Sequence, residues 1–142
     1  MSDPIVIVSA ARTPIGGMLG DFASLQAWQL GAVAIKAAVE RAGLSGKNQG
    51  EAVDEVLFGN CLMAGQGQAP ARQATLAAGL PMSAGAVTLS KMCGSGMRAM
   101  MFGHDMLVAG SANVVVAGGM ESMTNAPHLL VGSRKGYRYG AF

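Results

Sequence analysis

Short, β-branched apolar runs alternate along this chain with longer stretches whose apolar positions recur every three or four residues. Residues 5–10 (IVIVSA) have the form of a strand buried on both faces. A loop holding Pro14, Gly16, Gly17 and Gly20 follows. Ser24 is then placed to cap a helix running to about Ala42, with Gly43 as its stop. Leu25, Trp28, Ala32, Ile35, Val39 and Ala42 form one apolar stripe on it, while Lys36, Glu40 and Arg41 lie off that stripe. Such a helix is expected to pack on a sheet with its other face in water. The pattern predicts further strands over residues 53–59, 86–89 and 113–117, and a second helix over 70–78. Residues 93–109 are helical in length and apolar almost all round, with only Arg98, His104 and Asp105 charged or titratable. A helix without a polar face is expected to be buried on all sides.

Strands alternating with helices imply βαβ units, hence an α/β fold with a mostly parallel sheet and a buried central helix. Residues 1–119 read as a βαβαβαβ core. From 120 to 142 the periodicity stops, and Pro127, three glycines and the basic residues Arg134, Lys135 and Arg138 mark an irregular excursion. The expectation is a fold cut short, its C-terminal half absent.

Composition sharpens this picture. Apolar residues make up 51% of the 142 and charged ones 13%, against roughly 25% charged in an average soluble domain. With a mean hydropathy of +0.36, part of the apolar surface is expected to await missing partners. The net charge is only +2, with the basic residues scattered, which argues against a nucleic-acid partner. Cys61 and Cys93 lack ligand-like spacing, which argues against zinc and a disulfide framework. No apolar stretch approaches the ~18 residues of a membrane span, and Met1-Ser2-Asp3-Pro4 lacks the basic start of a signal peptide. A cytoplasmic protein is expected.

The candidate chemistry centres on Ser90-Lys91-Met92-Cys93-Gly94-Ser95-Gly96-Met97. A cysteine between a short strand and a helix start meets unpaired N–H groups and the positive end of the helix dipole, which favour a thiolate. Gly94 and Gly96 leave room for a bulky substrate and allow a sharp turn. A thiol of pKa ~8.5 is ~3% ionised at pH 7, and a dipole contribution of ~1 kcal/mol raises that only to ~14%, so an additional base would help substantially. Cys61 reads as an inert packing residue, and His104 and His128 as structural. Glu121 either orders the loop near Gly119 or is solvated. Met92, Met97, Met100, Met101 and Met106 are core filler or the lining of an acyl pocket. Arg134, Lys135 and Arg138 are a solvated loop or an attraction for phosphates. Gly94-x-Gly96-x-x-Ala99 also fits a dinucleotide-binding turn, with Glu121 near the ribose position, but it does not follow the first strand.

Four segments resemble the thiolase family in content, order and spacing: residues 5–14 (IVIVSAARTP), 65–74 (GQGQAPARQA), 91–99 (KMCGSGMRA) and 118–128 (GGMESMTNAPH). The GGMES form is most similar to the biosynthetic, acetoacetyl-CoA branch. Ser90 and Arg98 replace the Asn and Lys of many members. The resemblance implies a layered fold of two duplicated halves, and a homo-oligomer, dimer or tetramer. It implies that Cys93 takes up the acyl group as a thioester, with acetyl-CoA, acetoacetyl-CoA and CoA as substrates and products and no cofactor or metal. The family's basic His, in a Gly-His-Pro segment, and its second Cys, in a Cys-x-Gly-Gly-Gly segment, are not among these 142 residues. The implied activity is Claisen condensation of two acetyl-CoA, or its reverse. The rivals are a ketoacyl-synthase-type enzyme acting on a carrier protein and a non-catalytic truncated fragment.

Overall fold

The computed structural model describes residues 4–44 and 52–137. Its elements are α1 (Ala27–Arg41), β1 (Glu55–Gly59), α2 (Pro70–Ala77), β2 (Gly85–Leu89), α3 (Ser95–Ala109) and β3 (Val115–Gly119). Two 3-10 turns follow, Met123–Asn125 and Ser133–Lys135. The strands form a parallel sheet in the order β2-β1-β3, with Leu57 opposite Val87 on one side and Ala117 on the other. The central strand is the most buried, as expected where both faces are covered.

The pleat divides the side chains of β1 between two layers. Val56 and Phe58 join Ala27, Ile35 and Val39 of α1, Ala71 and Ala74 of α2, and Met120 in the main core. On the opposite face lies α3, which turns Ser95, Ala99 and Gly103 to β1 and β3. These residues are small and four apart, so helix and sheet approach closely: a Cβ on Gly103 would come within 3.0 Å of Val115 Cγ1. The result is an α/β/α sandwich with α1 and α2 on one side and α3 on the other.

Several expectations are corrected. Residues 5–10 form no strand; they run outside the sheet without regular structure, and Ile7 is 88% exposed. A strand needs a ladder neighbour, and residues 5–10 pair with none of the three strands. The run is instead tethered where Arg41 donates from Nη1 to the Ala10 carbonyl at 2.9 Å. The first helix starts after Gln26, whose N–H donates to Gln29 Oε1 at 2.8 Å; Ser24 lies in the preceding turn. Gly43, at φ +73°, follows the end of α1 as expected. The last strand lies two residues later than its apolar run suggested, because Asn113 and Val114 donate their N–H groups to the Asp54 carboxylate before the ladder begins. Among the described residues α3 is covered on one face only. Met97 is 66% exposed, and Met100, Met101, Phe102 and Val108 are exposed with it. No helix among the described residues is long and apolar enough to cross a membrane.

Candidate active site

The carboxyl ends of the three parallel strands meet at one edge of the sheet, where open α/β folds place their ligand sites. Backbone hydrogen bonds extend the ladder by one step there. Asn60 N–H donates to the Leu89 carbonyl at 3.0 Å, and Met120 N–H to the Gly59 carbonyl at 2.9 Å. Glycines make the junction tight. An added Cβ on Gly59 would stand 2.6 Å from Ser95 Cβ and 2.7 Å from Gly96 N, so the start of α3 rests directly on the end of β1.

Cys93 is exposed at this edge. It lies two residues before α3 rather than within it, since the helix begins at Ser95 with Gly94 as its cap. The sharp turn falls on Met92, at φ +48°, and not on Gly94, at φ −91°. A left-handed conformation at a residue with a side chain costs roughly 1–3 kcal/mol and persists only where its surroundings hold it. The holding groups are identifiable. Ser95 Oγ donates to the Met92 carbonyl at 2.6 Å and accepts the Lys91 N–H at 2.7 Å. Cys61 Sγ donates to the same Met92 carbonyl at 3.0 Å and lies 3.4 Å from Ser95 Oγ. Gly94 and Gly96 are demanded by no neighbour, for an added Cβ would make only ordinary contacts, at 3.5 Å or more, with Lys91 and with Gly118 and Gly119 respectively.

Other expected residues sort clearly. Cys61 is partly buried and acts on the Cys93 turn, which is more than inert packing. Glu121 orders the segment after β1: Oε1 accepts from Asn60 Nδ2 at 2.6 Å and Leu62 N–H at 3.0 Å, and Oε2 accepts from Cys61 N–H at 2.9 Å. His104 lies on the exposed side of α3, 3.5 Å from the Asp105 carboxylate, and His128 is exposed in the trailing segment; neither is brought to Cys93 by any recorded contact. Arg98 places its guanidinium 5.4 Å from the Phe102 ring centre. Arg134 and Lys135 are exposed in the second 3-10 turn, and Arg138 lies outside the described residues. Among the described residues no three His, Cys, Asp or Glu side chains are grouped to hold a metal ion.

The sequence reading missed Asn60, Gln66 and Gln73. Asn60 is 1% exposed, and its Oδ1 accepts from Gln66 Nε2 at 3.0 Å. Gln66 Nε2 also donates to the Leu62 carbonyl, and Gln73 Nε2 donates to the carbonyls of Gln66 and Gln68. An available signal was the Asn60-Cys61 pair directly after an apolar strand, at the end of the sheet where sites form.

Comparison with known proteins agrees with this geometry. The family model described as "Thiolase, N-terminal domain" matches residues 5–142. A cytosolic acetyl-CoA acetyltransferase of Gibberella zeae is 53% identical over 137 residues, covering 96% of this chain and 34% of that protein. An acetyl-CoA acetyltransferase of Cupriavidus necator is 53% identical with the same coverage of both chains. A mitochondrial acetyl-CoA acetyltransferase of Xenopus tropicalis is 54% identical over 96% of this chain and 31% of its own. The chain thus spans about a third of the length of these relatives.

Proposed function

The chain belongs to the thiolase family, and on that premise we propose that it is the nucleophile-bearing part of an acetyl-CoA acetyltransferase. The observation that carries this reading is the setting of Cys93. Its thiol is exposed at the carboxyl ends of parallel strands, just ahead of a 15-residue helix and behind a left-handed residue pinned from two sides.

In the proposed reaction the Cys93 sulfur attacks the carbonyl carbon of acetyl-CoA. The C–S bond to CoA breaks, CoA leaves as a thiol, and the acetyl group remains on Cys93 as a thioester. A base then takes a proton from the methyl group of a second acetyl-CoA. The resulting carbanion attacks the acetylated cysteine, releasing acetoacetyl-CoA and restoring the thiol. The net change is two acetyl-CoA to acetoacetyl-CoA and CoA, and the reverse is thiolysis. The base and the second cysteine are assigned to the remainder of the polypeptide. Each tetrahedral oxyanion needs fixed N–H donors, and the Cys93 amide is the proposed donor from this chain. No cofactor or metal enters the scheme.

Residues 1–119 serve in this reading as the core and 120–142 as the start of an excursion, whose first residue, Met120, still packs in the core. The exposed methionines of α3 are assigned to contact with the rest of a homo-oligomer, dimer or tetramer. The cytosolic Gibberella relative is the precedent for a cytoplasmic location. The test is to mix the full-length protein with radiolabelled acetyl-CoA and map the label by peptide mass. The acetyl group is expected on Cys93, with transfer abolished in Cys93→Ala. Label on Cys61, or normal turnover in Cys93→Ala, overturns the proposal.

A further inference from the structure

Glu121 stands out because its carboxylate is fully engaged without a cationic partner among the described residues. Its two oxygens collect three donors from three consecutive residues: the Asn60 side-chain amide and the Cys61 and Leu62 backbone N–H groups, at 2.6, 2.9 and 3.0 Å. A carboxylate accepting several N–H groups makes stronger bonds than a neutral acceptor would. Asn60 is locked from the other directions as well, through its own N–H to the Leu89 carbonyl, through Gln66, and through Nδ2 to the Met120 carbonyl at 3.3 Å. The segment so fixed has one outward consequence: it aims the Cys61 thiol at the Met92 carbonyl. That carbonyl belongs to the left-handed residue immediately before Cys93.

We infer that Glu121 is a positioning residue for Cys93, acting through Cys61. Its carboxylate holds residues 60–62 so that the Cys61 thiol shares the Met92 carbonyl with the Ser95 hydroxyl and the Ser95 N–H, the latter at 3.0 Å, and these three donors keep Met92 in the conformation that presents the nucleophile. Glu121 is in contact with neither Cys93 nor, in this scheme, the substrate. Neutralising it to Gln leaves one acceptor oxygen in place of two and sets an NH2 group against one of the three N–H donors. The segment then shifts, and the Met92 carbonyl loses one of its three donors. The inference rests on the reading of Cys93 as the acyl acceptor, yet it concerns the reactivity of a thiol that can be measured without turnover.

The experiment uses the full-length protein and iodoacetamide, with the modification of Cys93 followed by peptide mass. Acetylation by acetyl-CoA and the separate values of kcat and KM are measured beside it. Glu121→Gln is expected to slow Cys93 alkylation and acetylation about tenfold, the scale of one lost hydrogen bond to a charged group, with the loss in kcat and little change in KM. Cys61→Ala is expected to slow both by a similar factor. Cys61→Ser, whose hydroxyl still donates to Met92, restores most of the rate lost in Cys61→Ala. A merely structural role for Glu121 would lower the melting temperature without this serine-specific rescue. Unchanged Cys93 alkylation in Glu121→Gln, or Cys61→Ser as slow as Cys61→Ala, overturns the inference. If acetylation of the wild type fails while the alkylation pattern holds, the functional reading falls and the positioning role stands.

Discussion

Adding one methyl group at Gly59 tests how rigidly the Cys93 turn is seated. The Cβ of Gly59→Ala would lie 2.6 Å from Ser95 Cβ and 2.7 Å from both Ser95 C and Gly96 N, where ordinary contacts are 3.4–4 Å. Two of these three atoms are backbone, so no side-chain rotation relieves the clash. The start of α3 must move from β1 by about 1 Å to restore normal separations. Overpacking of this kind costs about 1–3 kcal/mol. The same displacement stretches the short bonds from Ser95 Oγ to the Met92 carbonyl and the Lys91 N–H, at 2.6 and 2.7 Å, beyond hydrogen-bond range. Misplacement of a reacting group by about 1 Å can slow a reaction on the order of 100-fold, so acetylation of Cys93 should fall by 10- to 100-fold by this reasoning. The assay pairs urea denaturation of full-length Gly59→Ala with a single-turnover measurement of acetylation. A variant that unfolds at the wild-type midpoint and is acetylated at the wild-type rate would show that α3 is not seated on β1 as described.

Two further outcomes are expected elsewhere. The Asn113 N–H, and then the Val114 N–H, hold the Asp54 carboxyl below the usual carboxylate range. A lowered folded-state pKa contributes stability above the unfolded value of 3.8 that is lost as pH falls toward the folded one. Asp54→Asn should therefore weaken stability at neutral pH and flatten its decline below about pH 4; denaturation series from pH 2 to 7 check this, and parallel curves for the two proteins would contradict it. Residues 1–142 expressed alone should associate through the exposed Met97, Met100, Met101 and Phe102. Two large apolar side chains left in water forgo roughly 3–6 kcal/mol, and sedimentation velocity showing a monomer that melts cooperatively would defeat the claim.

The alternation of elements was legible because each strand is a compact apolar run bounded by polar or turn residues, and because α1 carries a regular stripe from Ala32 through Ile35 to Val39. The run at residues 5–10 has the same appearance, but apolarity records a wish for burial and not the presence of a ladder partner. The closeness of α3 to the sheet was hidden as well. Ser95, Ala99 and Gly103 look unremarkable in a helix apolar on every side, and only contact with Val115 and Leu57 shows why they are small. At the candidate site, the local motif around Cys93 was legible in the sequence. The left-handed turn at Met92 was not, since Met carries no preference for positive φ and the restraint comes from Cys61 and Ser95. The pairing of Asn60 with Glu121 spans 61 positions, a distance over which local pattern has no reach.

The register of the sheet also sets a timetable. Glu55 pairs with Gly85 and Val115, 30 and 60 positions further along, so the central strand is synthesised first and both neighbours come later. Parallel pairing over such separations requires closing long loops before any ladder bond forms, and it is slow. During that interval the sequence Val56-Leu57-Phe58 is an uncovered apolar segment and a natural client for chaperones. The carboxylate that steadies the Cys93 turn arrives last of all, at position 121. A growing chain therefore carries Cys93 for some 28 residues, about one and a half to six seconds at ordinary rates of synthesis, before the geometry that presents it can exist.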